Sequence, residues 1–74
     1  MEKSFYYSVS WSELSFLKEA LDAMEVPYLI EQPSDRLQLQ TGEVAIVFPS
    51  LHVRVYNHIR DLFGGHGLRY PELP

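Results

Sequence analysis

A chain of 74 residues holds one domain, 1–74, and leaves no room for a second core. Apolar residues make up 46% of it, enough for a compact core, and the absence of cysteine removes disulfides, thiol catalysis and thiolate metal sites. Ten acidic residues against six basic ones leave a net charge of −4, which disfavours nucleic acid and anionic membrane as partners.

No apolar run reaches the roughly 18–20 residues that a membrane span requires. The opening Met1-Glu2-Lys3-Ser4-Phe5 lacks the apolar region of a secretory signal, so a cytoplasmic protein is the expectation. The six basic residues are expected to form no cluster.

In chain order, Phe5-Tyr6-Tyr7-Ser8-Val9 is rich in aromatic and β-branched residues and reads as a strand. Phe5, Tyr7 and Val9 fall on one face, Tyr6 and Ser8 on the other. Ser10 and Glu13 stand at capping-box spacing, with Val9 and Leu14 at the staple positions. A helix is expected from Trp11 to Glu25, with Leu14, Leu17, Leu21 and Met24 as its buried stripe. Phe16, Ala20 and Ala23 form a second apolar line, suited to a neighbouring element or another subunit. Pro27 disfavours helical backbone at Val26 and ends the element.

Tyr28 to Glu31 reads as a short second strand, and Pro33-Ser34-Asp35 as a turn. Arg36 to Gln40 alternates, Leu37 and Leu39 inward and Gln38 and Gln40 outward, as a strand does. Whether Thr41-Gly42-Glu43 turns a hairpin or bulges one strand from Arg36 to Phe48 stays open. Val44 to Phe48 is apolar on both faces and belongs in a sheet interior. Leu51 to Tyr56 alternates like a strand, yet Val55, Ile59 and Leu62 carry a helical stripe. The glycines after Phe63 suit a C-cap and Ser50 suits an N-cap, so a helix over about 50–63 is preferred. Leu68-Arg69-Tyr70 forms a last short strand, and 71–74 a free tail.

The order β-α-β-β-α-β points to an α+β fold: a ferredoxin-like two-layer sandwich, an antiparallel sheet with two helices on one face. Its second face is then open, and Tyr6, Ser8, Gln38, Gln40, Ala45 and Val47 would lie on it. Trp11 joins the candidates, as a contact residue or as a core-edge residue sealing the first helix.

Chemistry has little to stand on. His52, His58 and His66 with Asp61 lack the spacing of a metal site and read as solvated side chains. Gly64-Gly65-His66-Gly67 follows a helix, whereas a phosphate cradle precedes one. No carboxylate pair is spaced for acid–base work. The expectation is a non-enzymatic regulatory or interaction domain without cofactor or metal. It would act through Tyr6, Ser8, Trp11, Gln38, Gln40 and Val47, by self-association or by docking a protein. The alternative is a small-ligand or nucleic-acid module on the same face, with Arg69 added.

The stretch from Ser10 to Tyr28, an acidic Leu- and Ala-rich helix running into a Val-Pro strand, resembles the small bacterial signal-transducing domains. Val44 to Phe63 is similar to their closing half, an apolar strand ending at proline and leading into a helix. The chain departs from their pattern at Glu25, where glycine is usual, and at Leu51-His52-Val53, where acidic residues are usual. The resemblance implies a PII-like or ferredoxin-like fold and a regulatory or binding role, and brings no established catalytic residues to carry over.

Overall fold

The computed structural model describes residues 1–71. Its elements are β1 (Phe5–Ser10), α1 (Trp11–Ala23), β2 (Leu29–Glu31), β3 (Glu43–Phe48), α2 (Val53–Phe63) and β4 (Leu68–Arg69). The strands make one antiparallel sheet in the order β2-β3-β1-β4, so the fold is α+β. Apart from Pro71, the expected tail lies outside the described residues.

The helix-bearing face carries the larger core. Tyr7 and Val9 of β1 and Val44, Ile46 and Phe48 of β3 pack with Leu17 and Leu21 of α1, Ile59 of α2 and Val26. Alternation places every second strand residue on this face. The aromatic residues interlock: Phe5 stacks on Phe48 at 5.1 Å, and Tyr7 lies on Phe63 at 4.0 Å with ring planes 9° apart.

The helix ends have local causes, some unexpected. Ser10 remains in the β1–β3 ladder opposite Glu43, and its Oγ meets Ser12 Oγ at 2.9 Å. The capping box with Glu13 therefore does not form, because the Ser10 side chain caps no backbone N–H. The Trp11 N–H instead donates to the Gly42 carbonyl, 3.1 Å away on the turn before β3. In α2, His52 rather than Ser50 is the N-cap; its Nδ1 accepts from the Arg54 N–H at 3.2 Å. The helix begins at Val53, which resolves the 51–56 ambiguity as one irregular residue, Leu51, and the cap His52, followed by helix. Gly64 closes it in the left-handed region (φ 78°), as its position suggested.

α1 ends two residues before its expected limit. Met24 is its C-cap, and Glu25 takes a φ of 59°, a left-handed conformation that L residues with a Cβ adopt at a cost of about 1–2 kcal/mol. Glycine there avoids the clash but loses more backbone entropy on folding, about 0.5–1 kcal/mol. Glu25→Gly is expected to stabilise the domain by about 0.5–1 kcal/mol. Thermal unfolding should show a rise of roughly 3–6 °C in Tm for a domain this size.

The largest departure from expectation is at 32–42. Arg36 to Gln40 is not a strand: β3 already pairs with β1 on one side and β2 on the other, so it offers no free edge. The segment is a loop laid across the second sheet face. Leu37 is buried, packing in one cluster with Ala45, Val47 and Tyr70, with Tyr6 and Leu39 at the margin. The Ser34 N–H donates to the Leu37 carbonyl at 2.8 Å, and the Leu37 N–H donates to Ser34 Oγ at 3.1 Å. Gln40 and Glu43 clasp the other end, the Gln40 N–H on Glu43 Oε1 and the Glu43 N–H on the Gln40 carbonyl. Gly42 turns the chain into β3 with a φ of 86°. The face expected to be open thus has a cover over β3.

Candidate functional site

The covered face changes the standing of the expected contact residues. Val47 has no exposed surface and cannot meet a partner in this fold. Tyr6 is half-buried, edge-on to Tyr70 at 6.3 Å. Gln38 and Gln40 are exposed, but on the covering loop rather than on a strand. Trp11 is half exposed on the far flank of α1, above a hollow formed with Leu14, Ser15 and Lys18, so it does not seal the core. Ser8 alone of the set is both exposed and on the sheet.

The histidines have separate tasks. His52 caps α2, His66 stacks on Tyr56 with Nδ1 2.8 Å from its hydroxyl, and His58 is exposed on the helix. Among the described residues no three histidine or carboxylate side chains come together as a metal site.

The basic residues do gather, contrary to expectation. Lys3, Arg36 and Arg69 line one hollow beside Tyr70, brought there by the N-terminal arm, the loop and β4. Glu31 answers their charge. Its Oε1 accepts from the Tyr70 hydroxyl at 2.7 Å, and its buried Oε2 is ion-paired with the Lys3 ammonium. Burial by itself would raise the Glu31 carboxyl, but hydrogen bonds from Lys3 and Tyr70 and the charges of Lys3 and Arg36 outweigh it. The group is held below the ordinary carboxylate value. The cluster thus fastens the arm and the loop to the sheet.

The open part of the sheet is an edge. β4 pairs only with Phe5 and Tyr6, so the rest of β1 has no strand beyond it. In an antiparallel ladder, successive residues turn their backbone N–H and C=O to opposite neighbours. The Trp11 N–H donates toward β3, to Gly42, and the Ser4 carbonyl accepts from the Tyr70 N–H on the β4 side at 3.0 Å. Counting back in twos from Trp11, Tyr7 and Val9 serve β3, so Tyr6, Ser8 and Ser10 face the β4 side; Ser4, just before β1, divides its groups and donates its N–H to the Phe48 carbonyl. Among the described residues, no backbone group pairs with Ser8 there.

Why β4 stops is visible in the residues before it. A Cβ on Gly67 would lie 2.8 Å from the Tyr6 carbonyl oxygen, so the chain crosses β1 at a distance only glycine allows. It then leaves the sheet. His66 is drawn off to Tyr56, and the Gly65 carbonyl accepts from the Tyr7 hydroxyl at 2.7 Å. Burial, with a contribution from Tyr56, pushes the Tyr7 phenol above its ordinary value, which keeps it a donor.

The gap left beside Ser8 opens into a groove of about 390 Å³ between the start of α1 and the end of α2. Tyr7, Val9, Leu17, Leu62 and Phe63 line it with Phe16 and Glu13. Phe16 is 67% exposed, an apolar ring left in solvent at the lip. The line of Phe16, Ala20 and Ala23 was the sequence signal for this flank. The unpaired Ser8 backbone had none, because it depends on where β4 ends.

No family model, curated protein or solved structure matches the chain.

Proposed function

We propose that the protein is a non-enzymatic interaction domain that binds an extended segment of another chain by strand addition at β1. The observation that carries this is the unpaired Ser8 edge opening directly into an apolar groove. An incoming strand would continue the line of β4, hydrogen-bonding to the Ser8 N–H and carbonyl. Its alternate side chains would drop between Phe16 and Phe63. Main-chain pairing supplies affinity in this mode and the groove supplies selectivity. An unpaired edge is also a hazard that stable folds keep short; the unpaired stretch of β1 is its end beyond Tyr6, and the outer edges belong to the three-residue β2 and the two-residue β4.

Two further readings belong with the proposal. The element order with sheet order β2-β3-β1-β4, both helices packing on one face, supports a ferredoxin-like sandwich. The left-handed backbone at Glu25 supports the resemblance to the bacterial signal-transducing domains, since their usual glycine falls where this φ favours one. A regulatory role would follow from that kinship. The net charge of −4 weighs against the nucleic-acid alternative. Among the described residues, no helix is long and apolar enough to cross a membrane.

Amide hydrogen exchange tests the strand-addition reading. In the free protein the Ser8 amide should exchange far faster than those of Tyr7 and Val9, which face β3. A seven-residue peptide alternating valine and threonine should slow exchange at Ser8 and shift the Phe16 and Phe63 ring resonances. Phe16→Glu should abolish those changes while leaving stability within about 0.5 kcal/mol, as for an exposed position. A Ser8 amide already protected in the free protein, or no response to millimolar peptide, would overturn the proposal.

A further inference from the structure

We infer that the segment taken up at Ser8 is basic and belongs to a different protein, not to a second copy of this chain. The inference rests on the strand-addition reading and adds the partner's chemistry to it. Its ground is the placement of charge around the groove. Glu13 is the charged side chain on the lining, and Lys and Arg are absent from it. Past the lip, Phe16 forms a second, apolar hollow with Ala20, Ala23 and Glu19, again without a cation. Asp22 and Lys18 belong to the Trp11 flank, where Asp22 accepts from the Tyr28 hydroxyl, and Arg60 acts on Tyr7 from the α2 side, so Glu13 and Glu19 are the carboxylates on the α1 side of the groove.

A strand lying against Ser8 therefore leaves the groove past carboxylates. Each exposed ion pair at such a rim adds little affinity, about 0.2–1 kcal/mol. Several of one sign still select the partner's charge and raise its rate of arrival.

The same charge disfavours self-pairing. A twofold dimer joins one patch to itself, so Ser8 against Ser8 brings each Glu13 and Glu19 toward its own counterpart. Two copies would also each carry a net −4 into the contact. A partner with Lys or Arg flanking an alternating apolar core meets no such repulsion.

The test is a titration of the full chain with three peptides sharing one valine–threonine core, flanked by lysine, serine or glutamate. At low salt the lysine-flanked peptide should bind about 5- to 10-fold more tightly than the glutamate-flanked one, the effect of two or three rim pairs. The gap should close in high salt. The double variant Glu13→Lys, Glu19→Lys should reverse the order of the two charged peptides. Equal binding of all three would overturn the charge inference and leave strand addition standing. Binding of none would overturn strand addition itself. Sedimentation of the protein alone should show a monomer; a concentration-dependent dimer abolished by Phe16→Glu would make the second copy the occupant and overturn the inference.

Discussion

Replacing Leu37 with alanine is expected to cost the domain about 2–3 kcal/mol, as much as a core position in a regular element. Nothing about Leu37's backbone suggests this, since it lies in a loop without helix or strand pairing. Its side chain, however, is 1% exposed and sits with Ala45, Val47 and Tyr70 on the second sheet face. Truncation removes the transfer energy of the lost atoms and leaves a void that a loop can partly collapse, which places the cost at the low end for leucine. Urea unfolding of Leu37→Ala should show a markedly lower midpoint. Gln38→Ala, next in sequence but exposed, should stay within about 0.5 kcal/mol of the parent. Equal, small effects at both positions would mean that 32–42 is not a cover.

The same segment explains where the sequence is legible and where it is not. Leu37 and Leu39 alternate with Gln38 and Gln40, and the structure buries the first pair more than the second. The period of two is therefore real, but it reports which side of an extended chain meets apolar surface, not whether the backbone is in a ladder. A better clue lay in β3. Val44 to Phe48 is apolar at every position and buried at every position, which requires a cover on both sheet faces. With both helices expected on one face, another part of the chain has to cover the other, and 32–42 is the stretch that does.

Helix α2 was legible for a different reason. Two competing signals cover 50–63, and the longer-range one, Val55-Ile59-Leu62 ending at Gly64, extends over more residues than the short Leu51-Val53-Val55 alternation. Leu51 is half-buried outside the helix, while Val53 is exposed on its first turn, so the alternating reading was coincidence. The Ser8 edge lies beyond this kind of reading. Ser8 is a polar residue on an expected strand, and its backbone is left unpaired because the chain before Gly67 lies off the ladder, with His66 held on Tyr56. Register across 58 residues decided it.

Val47→Glu is expected to unfold the domain, not to weaken an association. Sequence alone makes Val47 a contact candidate on an open face; with no exposed surface there, the carboxylate would have to be buried. Its neighbours across the strands are Tyr6 and Leu29, and the cluster around it is Leu37, Ala45 and Tyr70, none of which carries a positive charge. An unpaired buried charge costs several kcal/mol, about 3–5 where a partner is missing. A chain of 74 residues has a total stability of roughly 4–11 kcal/mol. The substitution therefore consumes most or all of it. Far-ultraviolet circular dichroism and the urea midpoint should report loss of the native state, with Tyr6→Glu at the half-buried neighbour causing a smaller loss. A folded Val47→Glu protein of near-parental stability would mean that the loop lifts off readily. The second face would then be available to partners, and Val47 would return as a contact residue.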